Sequence, residues 1–143
     1  FSKKIYPNTD NIKKEIVDIC KTNKNIKIID GYIDFWDYRN YLKEINIMPL
    51  LYDSNKLNFV GSGLFYSCIT HEIPIIIPSE TKLLNEYLIY QSYEKATSDN
   101  EYANAVLKII NNYDFYLNEC KKFSKSYKND LSKDPLVLEI LAN

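Results

Sequence analysis

The sequence predicts an α/β protein, built as a Rossmann-like parallel sheet of about four to five strands with helices on both faces. Short apolar runs rich in β-branched residues alternate with longer segments of helical periodicity, as βαβ units require. One such run, Ile75–Ile77, is continuously apolar between two prolines, which is typical of a strand covered on both faces. Because 143 residues can enclose a sizeable core, we expect residues 1–143 to form a single domain.

In the first part of the chain, apolar residues three or four positions apart predict two helices, and the runs around them predict three strands. In chain order these elements are a short strand at Ser2–Tyr6, a helix at Asp10–Thr22, a strand at Ile26–Tyr32, a helix from its cap Asp34 to Ile45, and a strand at Ile47–Tyr52. The second helix should bury Phe35, Tyr38, Leu42 and Ile45. Pro49 has no amide hydrogen for a central ladder, so its strand should lie at an edge or contain a bulge.

The second part of the chain predicts two further strands and five helices. An exposed loop at Asp53–Val60 comes before them. In chain order the seven elements are a helix opened by Ser62, a strand at Ile75–Ile77, a helix from Ser79 or Thr81, a weak strand at Tyr93–Thr97, a helix behind Ser98, a helix at Tyr113–Lys128, and a last short helix opened by Asp134 and Pro135. Ser98 and Glu101 have the spacing of a capping box.

The two long helices near the carboxyl terminus should each bury one apolar stripe. For the helix behind Ser98 these residues are Tyr102, Ala103, Val106, Leu107 and Ile110. For the following helix they are Tyr116, Cys120, Phe123 and Tyr127. Asn111 and Asn112 should interrupt the chain between the two helices.

Composition and charge exclude several classes of function. The 18 basic and 19 acidic residues are interspersed, which leaves no basic face for nucleic acid and no polybasic membrane anchor. No apolar run reaches the roughly 18 residues of a membrane span. No signal peptide is visible, and the chain begins at Phe1 rather than Met, so we expect a piece of a longer protein.

The cysteines and the histidine argue against metal sites and nucleophilic triads. Cys20, Cys68 and Cys120 are far apart, and each falls on the apolar face of a predicted helix. They are therefore predicted to be buried free thiols of a reducing compartment. The single histidine, His71, lies near the end of its helix, where an imidazole favours the helix dipole. We expect neither a metal nor a cofactor.

The stretch Asn58–Pro78 is the strongest candidate for a binding site. It holds two of the three glycines of the chain, Gly61 and Gly63, and they flank Ser62, a good N-cap residue. Glycine lets a ligand approach the backbone, and the first amides of a helix are unpaired at its positive end. A glycine loop that leads into a helix therefore predicts an anion site, often for phosphate. The alternative is that the glycines only shape a turn.

The position of this stretch in the predicted sheet favours the anion site. Ligands of parallel sheets bind outside the carboxyl ends of the strands. The predicted strand ends are Gly31-Tyr32, Tyr52-Asp53, Pro78–Thr81 and Thr97-Ser98. The glycine-loop helix begins at that same rim.

Four pieces of the stretch from residue 47 to residue 78 carry a likeness to a known family: Leu51-Tyr52-Asp53 at a strand end, Ser62-Gly63-Leu64-Phe65, Cys68-Ile69-Thr70, and Ile73-Pro74-Ile75-Ile76-Ile77. Together they resemble the carboxyl-terminal half of a two-domain, GT-B-type glycosyltransferase (group 1, family 4-like) that uses a nucleotide-sugar donor. In that family the strand ends over the donor base, and the Ser-Gly step opens a helix whose amides face the donor diphosphate. Upstream, residues 28–31 are similar to the strand that leads to the loop near the base.

The resemblance implies glycosyl transfer from a nucleotide sugar to a hydroxyl acceptor in surface polysaccharide synthesis, either in the cytoplasm or at the inner face of the membrane. The acceptor half, which would also supply any peripheral membrane contact, would lie in a missing amino-terminal domain. The resemblance assigns no catalytic residue and no metal. It implies a donor-binding site formed by Gly31, Tyr32, Tyr52, Asp53, Gly61, Ser62, Gly63, Leu64 and Ser67.

Three positions depart from the family pattern. Many relatives have two glutamates here, which contact the transferred sugar and the donor ribose, and they fall on Phe59 and Ser67. Ser67 could make one hydrogen bond to the ribose, and Phe59 none. The family glycine before the Pro-led strand is Glu72. The missing carboxylates favour a second hypothesis, a noncatalytic Rossmann-like domain that only binds or assembles.

A third hypothesis is a signalling receiver domain. Asp53 follows one predicted strand, and Ser79 or Thr81 follows the next, as phosphoryl-transfer sites of that kind require. However, Ser2–Asn8 offers no acidic cluster to hold Mg²⁺, and Lys95 lies inside the last strand rather than at its end. The sequence therefore disfavours this hypothesis.

Overall fold

The computed structural model describes residues 9–27, 29, 31–51, 62–81 and 89–134. The chain forms two compact units, Phe1–Asp34 and Phe35–Asn143. The first contains helix α1 (Thr9–Thr22). The second contains, in chain order, α2 (Phe35–Glu44), β1 (Met48–Pro49), α3 (Gly63–Thr70), β2 (Ile75–Pro78), β3 (Tyr93–Ala96), α4 (Asp99–Asn111) and α5 (Tyr113–Leu131). The predicted α/β class is confirmed.

In the first unit the helix prediction is confirmed, and the strand prediction after it is wrong. Helix α1 ends where the Thr22 hydroxyl and the Asn23 amide both donate to the Ile19 carbonyl, at 2.9 Å each. In place of the strand predicted at 26–32, the described residues are irregular. The amide of Ile26 donates to the Asn23 carbonyl in a turn, and Gly31 has a left-handed φ of 104°. Neither conformation can continue a β-ladder.

The sheet of the described residues has three parallel strands in the order β1-β2-β3, so the expectation of four to five strands is wrong for this part of the chain. The edge position predicted for Pro49 is confirmed. The amides of Met48 and Leu50 donate to the carbonyls of Pro74 and Ile76, at 2.9 and 2.8 Å. Because bonding alternates along a strand, the nitrogen of Pro49 points away from β2, where no hydrogen is needed.

The central strand β2 is buried along its whole length, as its uninterrupted apolar run predicts. Side chains alternate between the faces of a sheet. Ile75 and Ile77 join one core cluster with Phe65 of α3 and Phe123 of α5. Ile76 joins a second cluster with other side chains, among them Ala96, Ala105, Ile109 and Tyr116. Helices therefore cover both faces of this strand.

The buried faces of α2 and α4 differ from prediction at several residues. In α2, Leu42 is buried as expected, whereas Phe35 is exposed and packs edge-to-face against Trp36. In α4 the buried residues are Ala105 and Ile109, with Tyr102 and Val106 half-buried. The remaining predicted core residues are exposed, namely Ala103, Leu107 (57%) and Ile110 (55%). Helix α4 is apolar on two sides, and the side that carries small Ala105 fits against Ala96 of β3.

Helix α5 buries three of the four residues predicted for its apolar stripe, and the fourth, Tyr127, is half-buried. Tyr116, Cys120 and Phe123 are buried, and the helical conformation is interrupted between α4 and α5 at Asn112. All three cysteines are free, as predicted; Cys68 and Cys120 are buried, whereas Cys20, also predicted to be buried, is half-buried. Burial raises the pKa of both buried thiols to about 12.

Four predicted elements lie wholly or partly outside the described residues. They are the strand at 2–6, the loop at 53–60, the helix after Ser79 or Thr81, and the helix opened by Asp134 and Pro135. These elements remain predictions.

Candidate functional site

Two helices of the second unit begin at the carboxyl edge of the sheet. Helix α3 ends at Thr70, and only residues 71–74 separate it from the start of β2. Because the chain reverses direction in this short turn, we expect the first residue of α3 to lie near the carboxyl end of β2. Helix α4 begins at Asp99, shortly after β3 ends. Tyr102, in the first turn of α4, donates its hydroxyl to the carbonyl of Leu50 just after β1, at 3.2 Å. This hydrogen bond ties the start of α4 to the same edge.

At α3, Ser62 forms the N-cap that its sequence position predicts. Its backbone is extended, and its buried hydroxyl oxygen accepts the amide of Phe65 at 3.1 Å, while its carbonyl accepts the amide of Tyr66 at 3.2 Å. The amides of Gly63 and Leu64 donate to no acceptor in the part of the chain that the structure describes. They are the unpaired donors that an anion at a helix N-terminus would use.

At α4, by contrast, the N-terminus already has carboxylates of its own. The Ser98 hydroxyl oxygen accepts the Glu101 amide at 3.4 Å, and Glu101 accepts the Thr97 amide at 2.7 Å. The predicted capping box is confirmed, although Glu101 accepts the amide of Thr97 rather than that of the cap residue Ser98. Asp99 and Glu101 place two negative charges in this first turn, whereas the first turn of α3 has none. An anion would therefore meet two carboxylates in the first turn of α4 and none in the first turn of α3.

The glycine at the start of α3 is not required by the fold of the described residues. Gly63 does not have a left-handed φ, and a Cβ at this position would meet no described atom within 4 Å. Gly63 is exposed at the start of the helix. Leu64, which follows, packs its side chain against the core that contains Phe65 and offers only its amide to this surface.

Ser67 lies one turn further along α3 and is already engaged in the helix. Its hydroxyl donates to the carbonyl of Gly63 at 3.0 Å. The hydroxyl hydrogen is therefore used within the helix, and only the oxygen remains to accept a hydrogen bond from a ligand. Where a family carboxylate would accept two hydroxyl groups, this side chain can accept fewer.

The other predicted donor-binding residues belong to the first compact unit or lie outside the described residues. Gly31 and Tyr32 belong to the first compact unit, where Gly31 is left-handed and Tyr32 is 94% exposed. Tyr52, Asp53 and Gly61 lie outside the described residues. Of the predicted site, the described residues of the second unit contain Ser62, Gly63, Leu64 and Ser67.

Two polar residues at the carboxyl edge have a larger role than the sequence suggested. Thr81, three residues after β2, is almost completely buried, and its hydroxyl has no partner among the described residues. A buried hydroxyl without a partner costs about 1–3 kcal/mol, so it is a candidate donor for a ligand. Tyr102 was predicted to be a core residue, yet its hydroxyl anchors Leu50. The available signal for Thr81 was its place among Pro78–Thr81, the predicted end of a fully apolar strand.

His71 lies at the other end of α3 and takes no part in the site. It is the C-cap residue, and its Nδ1 lies 2.9 Å from the Ser67 carbonyl oxygen. Eight helical residues span about 12 Å, so the imidazole is one helix length from the open amides. The predicted location near the helix end is confirmed.

Comparisons with known proteins add no relative to this description. No family model, no curated protein and no solved structure matches the chain. Within the described residues, no cluster of three or more metal-ligating side chains occurs. In the same part of the chain, none of the helices combines the length and the apolar character needed to cross a membrane.

Proposed function

We propose that the chain is the nucleotide-sugar-binding, Rossmann-like domain of a GT-B-type glycosyltransferase that acts in surface polysaccharide synthesis. The observation that carries this proposal is the start of α3. The amides of Gly63 and Leu64, which donate to no acceptor among the described residues, lie at the carboxyl edge of a parallel sheet, behind a serine cap and without a carboxylate in the first turn. A diphosphate is a ligand that such a terminus favours.

The turn after α3 gives independent support to the proposal. Glu72 occupies the position of the family glycine before the Pro-led strand, and its φ is 61°, in the left-handed region that favours glycine. The backbone at this position thus has the conformation that explains a glycine in the family. A resemblance that rested only on apolar residues would not require a left-handed backbone at this position.

The proposed chemistry is the transfer of a glycosyl group. The bond from the anomeric carbon to the donor phosphate oxygen breaks, and a new bond forms from that carbon to an acceptor hydroxyl oxygen, whose proton is released. Negative charge develops on the departing nucleoside diphosphate. The amides of Gly63 and Leu64 would stabilise that charge, since donors that are already oriented lose little energy to reorganisation. The acceptor would enter from the missing amino-terminal half.

A second candidate is a noncatalytic domain that assembles with other proteins. The observation that favours it is at Ser67, whose hydroxyl is bonded to the Gly63 carbonyl and which replaces a carboxylate of the family. A domain that has lost its ribose contact would retain the fold without tight donor binding.

Calorimetric titration of the chain with UDP, GDP and their nucleosides tests the proposal. One diphosphate should bind at least about tenfold more tightly than its nucleoside, because the phosphates contact the open amides. The decisive pair of variants is Gly63→Asp and Gly63→Asn, which have nearly equal size and differ in charge. The carboxylate favours a helix N-terminus, so Gly63→Asp should fold, yet it should bind the diphosphate at least about tenfold more weakly than Gly63→Asn.

Two results would count against donor binding. One is the absence of heat with both diphosphates at millimolar concentration, which would favour the noncatalytic domain. The other is equal diphosphate affinity for Gly63→Asp and Gly63→Asn, which would move the phosphates away from α3. Thermal unfolding of both variants serves as the control for folding.

A further inference from the structure

A second concave surface lies away from the start of α3, along the outer edge of strand β3. It is a cavity of about 590 Å³, within the range of roughly 300–1,000 Å³ that is typical of small-molecule sites. Its walls come from the residues around β3 and from the helix ends where α4 passes into α5. The residues that matter for its chemistry are Gln91, Glu94, Lys108, Asn112, Phe115 and Tyr116.

The carboxylate on the cavity wall, Glu94, is compensated by its neighbours. Glu94 pairs with Lys108 at 2.8 Å and accepts a hydrogen bond from the hydroxyl of Tyr116. The Tyr116 ring is buried, and burial together with the neighbouring carboxylate raises the pKa of its hydroxyl, which stays protonated. Because the Glu94 carboxylate already has a cation and a donor, it offers no unbalanced charge to an ammonium group. Lys95, the other lysine that lines the cavity, has a polar or electrostatic contact of its own. These contacts favour a neutral polar ligand.

The remaining wall alternates hydrogen-bonding groups with an aromatic surface. The side-chain amides of Gln91 and Asn112 provide both donors and acceptors. Gln91 is held by its backbone amide, which donates to Glu119 at 3.2 Å, and Asn112 donates to the Lys108 carbonyl at 3.0 Å. Phe115 remains 48% exposed beside them. A sugar ring has the complementary chemistry, with hydroxyls that donate and accept around an apolar C–H face that packs on an aromatic ring.

The alternative occupant, an extended peptide added to β3, fits less well. The strand has four residues, and Lys95 lies on it, exposed at the outer side of the sheet. A short edge strand with a lysine is a feature that disfavours strand addition.

We infer that the cavity between β3 and the α4–α5 junction binds a neutral saccharide unit, at a site separate from the nucleotide site proposed at α3. Phe115 packs against the sugar ring, and the amides of Gln91 and Asn112 bond its hydroxyls. The carboxylate of Glu94, fixed by Tyr116 and Lys108, accepts a further hydroxyl. The inference rests on the lining of this cavity and holds whether or not the proposed donor binding is correct.

Saturation-transfer NMR on the chain, with maltotriose, cellotriose and N-acetylglucosamine as probes, tests this site. At least one saccharide should show transfer at millimolar concentration. Phe115→Ala should reduce the affinity about fivefold or more, since it removes the stacking surface. The matched control is Phe35→Ala, which removes another exposed phenylalanine (61% against 48% for Phe115) on α2 and should leave the affinity unchanged. Gln91→Ala, also at an exposed position, should weaken binding as well.

The outcome separates this site from the nucleotide site. Saccharide binding that persists in excess UDP and in Gly63→Asp supports the inference, even if no nucleotide binds. No transfer from any of the three saccharides overturns it. So does transfer that Phe115→Ala leaves intact, or that inorganic phosphate abolishes by competition. Circular dichroism of each variant confirms that a loss of binding is not a loss of fold.

Discussion

Replacing Glu72 by glycine should stabilise the protein. Helix α3 ends in a Schellman motif, in which the amide of Ile73 donates to the Cys68 carbonyl at 2.9 Å and that of Glu72 to the Ile69 carbonyl at 3.2 Å. In this motif Glu72 is the left-handed residue, with φ 61°. A residue with a Cβ costs about 1–2 kcal/mol in this conformation, because the Cβ crowds the following carbonyl oxygen. Glycine avoids that cost.

The size of the effect follows from two opposing contributions. Glycine removes the steric cost, but it also gives the unfolded chain more freedom, which offsets about 0.4–1 kcal/mol. The net gain in the free energy of unfolding should be about 0.5–1 kcal/mol, and the melting temperature should rise by about 2–4 °C. Urea unfolding followed by circular dichroism measures both the midpoint and the slope.

Glu72→Ala is the control that separates backbone conformation from charge. It removes the carboxylate, which contributes to the raised pKa of Cys120, and keeps the Cβ in the left-handed position. We expect Glu72→Gly to exceed Glu72→Ala in stability by the net gain worked out above. Equal stabilities would refute the steric argument, and a glycine variant less stable than the alanine variant would mean that the turn relaxes without strain.

Two further predictions concern the core. Ile109→Ala should destabilise the protein by about 2–5 kcal/mol, because this side chain is fully buried against β2 and β3. Ile110→Ala, at an exposed position, should change stability by less than about 0.5 kcal/mol. Similar losses for the two variants in urea unfolding would contradict the buried face of α4. Cys68 and Cys120, with pKa raised to about 12 by burial, should react slowly with a disulfide reagent at pH 8 in the folded protein and rapidly in urea. Rapid labelling of all three thiols in the folded state would show that the core opens easily. Since the unfolded thiols ionise near pH 9 and the folded ones do not, the free energy of unfolding should also fall as pH rises from 9 towards 12. Cys120→Ala should make that decrease smaller.

Local signals in the sequence were sufficient for the segment from Ser62 to Pro78. The N-cap, the short amphipathic helix and the proline-bounded apolar run each depend on residues a few positions apart, and the structure contains all three. The same is true of the capping box at Ser98 and of the edge position of Pro49. Such features depend on backbone geometry that neighbouring residues determine.

Features that depend on distant contacts could not be predicted. The segment 26–32 has the β-branched composition of a strand, but strand formation needs a pairing partner that composition does not supply. Helix α4 is apolar on two sides, and the choice between them depends on the fit of Ala105 against Ala96 of β3. The bonds of Glu94 to Lys108 and Tyr116 join three elements, and no sequence spacing indicates them. The cavity beside β3 was therefore missed.

The proposed anion site depends on how firmly α3 is held, because a helix of eight residues is too short to be stable alone. Its buried residues Phe65, Cys68 and Ile69 attach it to the core, the Ser62 cap fixes its start, and the Schellman turn fixes its end. The amides of Gly63 and Leu64 are thereby oriented before any ligand arrives. A change at one end of α3 should therefore not affect the other end, and an experiment can test this. Glu72→Gly should raise stability without changing diphosphate affinity, since the start of the helix already has its own cap. A change in affinity would mean that the open amides are not held independently of the turn.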